Sequence, residues 1–394
     1  MSENKDYVLL IGNNYISKFL LKTAKENDIP TFAEDSLANS IKKISTIKNI
    51  YNIDKLKTYL KRHKKVYFYL NSDDCPTYIF DNSSDNFLIN SVNSFKDKNK
   101  FRNLIKHLFK DFYFKKLNIK ELKKYKIPKH RVVIIKPNKG FFGTGVRKIK
   151  QQKEWKEKIT ETLYEVNENS KYFSKDILDT KNYLIEDFVK GEEYAVDMFY
   201  DSKSNPVIMN IYHHPYKDEN DTRNVLYYTN TEIMERLQTK LIKFFNDLVK
   251  KIKVSNFPIH AEFRETKEGK LIPIEVNPLR FGGFSLADLT YWAYGYNPYE
   301  YFFKNIKPNW PKIYKDKKDL HFGWILAYNG DLDLNKYEPD HEKFKKTFSK
   351  ILYYNKLDYK KYPVFATVYA ESKNLKDLYK YLNIDFSKYF KKIK

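Results

Sequence analysis

The first candidate for chemistry is a pair of carboxylates on either side of position 270. Glu262 and Glu275 lie in two alternating apolar stretches on either side of a short polar turn at 267–270. This pattern predicts a β-hairpin in which the two carboxylates lie opposite each other. Opposed carboxylates repel unless a cation lies between them, and Mg²⁺ prefers oxygen ligands that nucleotide phosphates can complete. Asn277 adds a neutral oxygen, so Glu262, Glu275 and Asn277 are candidate metal ligands, with a charged hairpin facing solvent as the alternative.

A lysine followed by a glycine-rich segment is the second candidate. Lys136 ends the apolar run 132–135, and three glycines and a threonine follow at Gly140, Gly143, Thr144 and Gly145. Backbone N–H groups in such a segment can approach phosphate oxygens closely, and the lysine supplies a point charge. The lysine precedes the glycines and a strand-like segment follows them, so this is not a Walker A loop. We predict a phosphate-covering hairpin loop; an ordinary hairpin turn explains the segment equally well.

The third candidate is a strand, an acidic bend and a second strand over residues 183–200. Its apolar positions offer a wall for a purine, its strand edge offers backbone groups for the ring nitrogens, and Glu193 offers a carboxylate for the ribose hydroxyls. Acidic residues at a bend are also common as simple solvated turns.

Together the three motifs resemble the ATP-grasp superfamily, in which a glycine-rich hairpin closes over a nucleotide held between two α+β lobes. The resemblance covers about residues 94–300 and implies that Lys136 contacts the α- and β-phosphates. Lys98, or alternatively Lys100, corresponds to the earlier lysine of the same clamp. The remaining residues that it implies form the adenosine hinge: Glu186 accepts from the adenine amine, Phe188 belongs to the hinge, Val189 binds through its backbone, and Glu193 holds the ribose.

Two departures from the family pattern concern the reacting centre. Many members place an arginine directly after Asn-Pro, whereas this chain inserts Leu279 before Arg280. His260 stands where D-alanyl-D-alanine ligases carry an arginine. We treat Arg280, His260 and Lys136 as the candidate catalytic residues, and leave open whether His260 acts at the centre or only packs beside it.

The resemblance implies an activity as well. It implies that ATP and Mg²⁺ (or Mn²⁺) convert a small-molecule carboxylate to an acyl phosphate, which an amine then attacks. Substrate contacts are expected from the aromatic segment 211–217 and the polar segment 218–224, interpreted as a mobile flap; an aromatic edge strand and a surface loop are the alternative. A kinase on the same scaffold, acting on a hydroxyl, and a non-catalytic basic nucleotide-binding protein are the other function classes.

Composition limits the classes of partner and the location that we expect for the protein. The formal net charge is +23, but only eight of the 73 basic residues are arginine and the lysines are spread along the chain, so we expect no nucleic-acid partner. Cys75 is the single cysteine and allows no disulfide within the chain. No apolar stretch reaches 18 residues, so we expect no membrane span and a cytoplasmic location. The sequence is compatible with a homodimer.

The resemblance, together with the patterns outside it, implies a mixed α/β and α+β architecture. We predict a small open α/β domain over residues 1–93, from strands at 7–12 and 66–70 and helices at 15–25 and 54–61. The resemblance implies two ATP-grasp lobes over 94–300. A C-terminal α/β segment spans 301–394, with predicted strands at 322–328 and 364–369 and predicted helices at 341–352 and 375–382.

Overall fold

The N-terminal region is an open parallel sheet. The computed structural model describes residues 6–393 except 13–14, 46, 64, 141–142, 172–176, 219–220 and 222. The strands and helices of this region are β1 (Asp6–Ile11), α1 (Lys18–Glu26), β2 (Thr31–Ala33), α2 (Asp35–Ser45), β3 (Ile50–Asn52), α3 (Leu56–Arg62) and β4 (Val66–Leu70). The strand order is β3-β2-β1-β4. Residues 8–11 of β1 are all buried, as expected for a central parallel strand covered on both faces.

Three helices lead from this sheet into a small antiparallel lobe. They are α4 (Pro76–Asn82), α5 (Asn86–Lys96) and α6 (Lys98–Ile105). The lobe contains β5 (Phe114–Asn118), α7 (Ile119–Leu122), β6 (Val133–Pro137), β7 (Arg147–Ile149), α8 (Trp155–Asn169) and β8 (Asn182–Asp187), with strand order β5-β8-β6-β7. It has an apolar core of its own, in which Trp155 and Ile159 of α8 cover the sheet.

An eight-stranded antiparallel sheet forms the rest of the molecule. Its strands are β9 (Glu192–Tyr200), β10 (Pro206–His214), β11 (Leu226–Thr229), β12 (Phe257–Glu265), β13 (Leu271–Pro278), β14 (His321–Tyr328), β16 (Lys350–Lys356) and β17 (Val364–Ser372). The order is β13-β12-β9-β10-β11-β14-β17-β16, so the C-terminal strands extend the same sheet. A separate pair is formed by β15 (Tyr337–Pro339) and β18 (Phe390–Lys392).

Helices cover this sheet and connect its strands. They are α9 (Thr231–Ile252), α10 (Leu289–Tyr294), α11 (Pro298–Phe303), α12 (Trp310–Tyr314), α13 (His341–Lys345) and α14 (Lys376–Tyr379). The amphipathic α9 packs against β10 through its apolar face. Within the described ranges, no helix combines the length and the apolar content needed to cross a membrane.

The predicted fold class is confirmed, but one local prediction is wrong. The helix predicted over 341–352 ends at Lys345, and Lys350–Lys356 is a strand paired with β17. Short apolar runs such as Ile351–Tyr354 suit either period, and here pairing with β17 decides the outcome. The alternative interpretation of the aromatic segment near residue 212 as an edge strand is excluded, because β10 lies between β9 and β11.

Contacts between the parallel sheet and the large sheet position the site. The Leu70 N–H at the end of β4 donates to the Leu279 carbonyl just after β13, at 2.7 Å. The Ser17 hydroxyl caps α1 and also donates to both oxygens of Asp288, at 2.7 and 2.9 Å. The ends of β1 and β4 therefore lie beside the chain that follows the predicted metal hairpin.

Candidate active site

The hairpin that carries the predicted metal ligands is present with the predicted register. Glu262 on β12 is paired directly with Glu275 on β13, and His260 is paired with Asn277. The Glu262 and Glu275 side chains are 24% and 28% exposed, so both remain open to the cleft, whereas Asn277 is buried. In the described part of the chain no group of three or more His, Cys, Asp or Glu side chains is placed to hold a metal. Two carboxylates and one amide are a hard oxygen set, which fits Mg²⁺ whose remaining ligands come from phosphates.

The glycine-rich segment is the loop of an antiparallel hairpin, as predicted. It joins β6 to β7, and a strand rather than a helix follows it. Gly143 and Gly145 have φ values of +69° and +68°, which side-chain-bearing residues rarely adopt. A Cβ at Gly145 would lie 2.5 Å from Val166, whereas a Cβ at Gly143 would meet no described atom within 4 Å. Gly140 and Thr144 are buried, and Phe141 and Phe142 lie outside the described residues.

Of the two candidate clamp lysines, Lys98 faces the cleft and Lys100 does not. The Lys98 ammonium donates to the Gly140 carbonyl at 3.2 Å and lies 3.6 Å from the Glu275 carboxylate. Lys100, two residues further along α6 and so on nearly the opposite face of the helix, is exposed. The ammonium of Lys98 therefore connects the base of the glycine loop to the metal hairpin.

Lys136 lies deeper in the same cleft. Its side chain is buried, its ammonium lies 2.6 Å from one oxygen of Glu186, and it approaches the Ile274 carbonyl at 3.4 Å. Burial lowers the pKa of Lys136, and the nearby Glu186 carboxylate partly offsets this.

Arg102 was not identified from the sequence, although it shares this site. Its Nε donates to the second oxygen of Glu186 at 2.7 Å, and one terminal nitrogen donates to the Pro273 carbonyl at 2.7 Å. Arg102 follows Lys98 by four residues on α6, which places both on one helix face. This spacing is the sequence signal that could have identified Arg102. Burial alone would raise the pKa of Glu186, but Arg102 and Lys136 lower it to about 2.

The hinge between β8 and β9 contains Phe188 and Val189, which the resemblance implies as adenosine contacts. The Val189 N–H has no acceptor among the described residues, and its carbonyl accepts from Arg264 at 3.3 Å. The Phe188 ring is half-buried, with the Lys148 ammonium of the glycine hairpin 3.8 Å from its centroid. A free backbone donor beside an aromatic ring suits a purine edge.

Glu193 is the most heavily hydrogen-bonded of the predicted residues. One oxygen accepts from His214 at 3.0 Å and from Tyr216 at 2.7 Å, and the other accepts from Arg264 at 3.1 and 3.0 Å. Burial would raise the pKa of Glu193, but these donors lower it to about 2. His214 and Tyr216 come from the segment predicted to contact substrate, so the structure brings that segment beside the hinge. Residues 219–220 and 222 of the predicted flap lie outside the described residues.

His260 is held by a buried aspartate that the sequence analysis missed. Its Nδ1 donates to Asp197 at 2.8 Å, and its Nε2 lies 3.7 Å from Glu262. Asp197 also accepts from the Gly282 N–H at 2.8 Å and from Tyr212 at 2.9 Å. Burial would lower the pKa of His260, but Asp197 and Glu262 raise it to about 9. The sequence signal that could have identified Asp197 is its place inside a largely apolar strand.

Arg280 reaches the site together with an aspartate from the N-terminal sheet. Leu279 has a φ of +62°, and the Arg280 guanidinium that follows donates to both oxygens of Asp73 at 3.1 and 3.0 Å. The Lys96 ammonium lies 3.5 Å from the same carboxylate. Burial would raise the pKa of Asp73, but Arg280 and Lys96 lower it to about 2. Asp73 follows β4 and lay outside the motifs used above.

Comparison with known proteins gives a family and a shared fold. A sequence model of the ATP-grasp domain matches residues 130–288. No curated protein matches the sequence significantly. The L-amino acid ligase from Bacillus licheniformis is 12% identical with a TM-score of 0.68, over 100% of this chain and 99% of that chain. N5-carboxyaminoimidazole ribonucleotide synthetase from Thermotoga maritima is 12% identical with a TM-score of 0.65, over 98% and 99%.

A third solved structure is similar over most of both chains. Biotin carboxylase from Campylobacter jejuni, solved with β-γ-ATP, is 14% identical with a TM-score of 0.64, over 95% of this chain and 89% of that chain. At such identities the likeness establishes the fold and not the substrates. Residues 130–288 therefore match an ATP-grasp domain, and the chain shares its overall fold with these solved structures.

Proposed function

We propose that the protein is an ATP-dependent ligase that activates a small-molecule carboxylate as an acyl phosphate and couples it to an amine. The observation that carries this proposal is the pairing of Glu262 with Glu275 across β12 and β13, in a cleft that also contains Lys98 and Lys136. Opposed carboxylates next to clustered ammonium groups suit a metal-bound polyphosphate. Similarity in fold to an L-amino acid ligase supports the same reaction class.

The nucleotide would lie between the glycine hairpin and the large sheet. In this proposal Lys98 and Lys136 bind phosphate oxygens, and Gly140, Gly143, Thr144 and Gly145 cover them. The adenosine end would be bound by Phe188, Val189 and Glu193, and by Glu186, whose carboxylate also pairs with Lys136 and Arg102. Glu262, Glu275 and Asn277 would hold Mg²⁺, which supplies neutralising charge for the phosphates.

The groups at the reacting centre favour a carboxylate over a hydroxyl as the acceptor. A carboxylate is already ionised at neutral pH and needs no base, whereas a hydroxyl does. The two aspartates beside the centre, Asp73 and Asp197, already accept hydrogen bonds from Arg280 and His260. Arg280 and His260 therefore offer positive charge and fixed hydrogen-bond donors to a developing anion. The two aspartates are engaged with them and do not supply a free base.

The proposed reaction is balanced in two steps. A carboxylate oxygen attacks the γ-phosphorus and ADP leaves, which gives the acyl phosphate. The amine nitrogen then attacks the acyl carbon, the amine loses a proton, and phosphate leaves with the oxygen that came from the carboxylate. Arg280 and His260 are proposed to stabilise the charge that develops on the acyl group.

A trapping screen tests this function without knowledge of the amine. The protein is incubated with ATP, Mg²⁺, hydroxylamine and one carboxylate at a time, including the free amino acids. The expected result is a hydroxamate that accumulates with an equal amount of ADP for at least one carboxylate. A stable phosphate ester would instead establish a kinase, and AMP with pyrophosphate would establish adenylation.

A further inference from the structure

Three cationic side chains converge below the glycine loop. Lys98 and Arg102 line one cleft together with Gly140 and Glu275. The ammonium of Lys136 is close enough to both for their charges to disfavour its protonated form, and Glu186 offsets this effect. Glu186 is the carboxylate that pairs with both Lys136 and Arg102. Like charges gathered around a cleft repel one another until an anion enters it, so the cluster suits a polyanion.

Arg102 is fixed in place without using all of its donors. Its Nε is bound to Glu186 and one terminal nitrogen to the Pro273 carbonyl, and the guanidinium lies 4.3 Å from the centroid of the Phe112 ring. The other terminal nitrogen is buried and has no acceptor within the described part of the chain. A buried, charged N–H group without an acceptor is costly, so such a group in a binding cleft indicates a ligand.

We infer that Arg102 is a third cation of the nucleotide clamp, whose free terminal nitrogen donates to a phosphate oxygen of a bound nucleoside di- or triphosphate. Glu186 and the Pro273 carbonyl hold the guanidinium plane, which leaves one edge for the ligand. This inference rests on the proposed function, because it requires that the cleft binds ATP. It assigns a phosphate contact to a residue outside the span 130–288 that matches the ATP-grasp domain.

A double-mutant cycle separates a direct phosphate contact from an effect through Glu186. Calorimetry would measure the affinities for ATP, ADP and adenosine in the wild type, Arg102→Gln, Glu186→Gln and the double variant. Losing a charged hydrogen bond to phosphate should weaken ATP and ADP binding by roughly 10- to 100-fold and adenosine binding by less than about 3-fold. The loss of ADP affinity should persist when Arg102→Gln is made in the Glu186→Gln background.

Two results would overturn the inference. If Arg102→Gln causes no further loss in the Glu186→Gln background, Arg102 acts only by holding Glu186. If adenosine affinity falls as much as ADP affinity, the residue supports the hinge and not a phosphate. Lys100→Gln, an exposed change on the same helix, is the matched control and should change none of the affinities.

Folding and the underlying function are tested alongside. Thermal unfolding shows whether each variant is folded, and Arg102→Lys, which keeps a charge but not the fork of donors, replaces Arg102→Gln if that variant does not fold. A wild-type protein that binds neither ATP nor ADP overturns the proposed function as well. A wild-type protein that binds both, with unchanged affinity in the Arg102 variants, overturns this inference alone.

Discussion

Replacing Glu275 with glutamine should have opposite effects on the free protein and on the protein with Mg²⁺ and ATP. In directly paired positions on antiparallel strands, Cβ atoms are about 5 Å apart. Unit charges at that distance repel by about 3 kcal/mol at an effective dielectric constant of 20. The side chains of Glu262 and Glu275 are 24% and 28% exposed, and Lys98 lies 3.6 Å from Glu275. Solvent screening and the loss of that ion pair reduce the net gain in the free energy of unfolding of the free protein to between zero and about 1 kcal/mol.

With Mg²⁺ and ATP bound, the substitution should destabilise the protein instead, because one of the two anionic metal ligands is lost. We expect Mg²⁺-dependent ATP turnover to fall by roughly 100-fold or more, and the stabilisation by MgATP to disappear. Thermal unfolding in EDTA and in MgATP, with ADP release, measures both effects. Glu300→Gln is the control, because its carboxylate pairs with Lys304 on the surface. Near-normal turnover in Glu275→Gln, with an unchanged MgATP shift, would refute the metal assignment.

Three other substitutions test separate parts of the account. Gly143→Val should fold with a backbone strain of about 1–2 kcal/mol but bind ATP more weakly. The control is Gly330→Val, because Gly330 has a similar φ of +65° and is equally open among the described atoms. It should show the strain without the binding defect. Burial raises the pKa of Asp288 to about 7, so between about pH 4 and 7 the folded protein holds this proton more tightly than the unfolded chain does. The free energy of unfolding of the wild type should therefore fall as pH rises over that range, and that of Asp288→Asn should fall less. Urea unfolding measures both, and parallel pH profiles would contradict this. Arg280→Ala should keep MgATP affinity but lower hydroxamate yield by roughly 100-fold, and an unchanged yield would remove Arg280 from the reacting centre.

Local sequence patterns were sufficient to predict the metal hairpin and the glycine hairpin. Alternation over two strands fixes which residues share a face, so the opposition of Glu262 and Glu275 follows once the turn is located. The glycines at positive φ likewise restrict the loop to a small set of backbone conformations. The fold class followed from the family resemblance that these motifs carry.

The charge partners could not be predicted in the same way. Arg280 and Asp73 are 207 residues apart in sequence, and Arg102 and Glu186 are 84 apart. Such pairs depend on how separate sheets dock, which periodicity within one element does not encode. For the same reason the strand at 350–356 was mistaken for helix, since its identity depends on pairing with β17.

The central claim, that a carboxylate is phosphorylated on the way to product, is tested most directly by oxygen transfer. A carboxylate that supports hydroxamate formation is labelled with ¹⁸O in both oxygens and incubated with ATP, Mg²⁺ and an amine or hydroxylamine, and the released phosphate is analysed by mass spectrometry. An acyl phosphate predicts one ¹⁸O atom in each molecule of phosphate formed with product, and none in ADP. Label in AMP, or unlabelled phosphate released alongside product, would contradict the proposed mechanism.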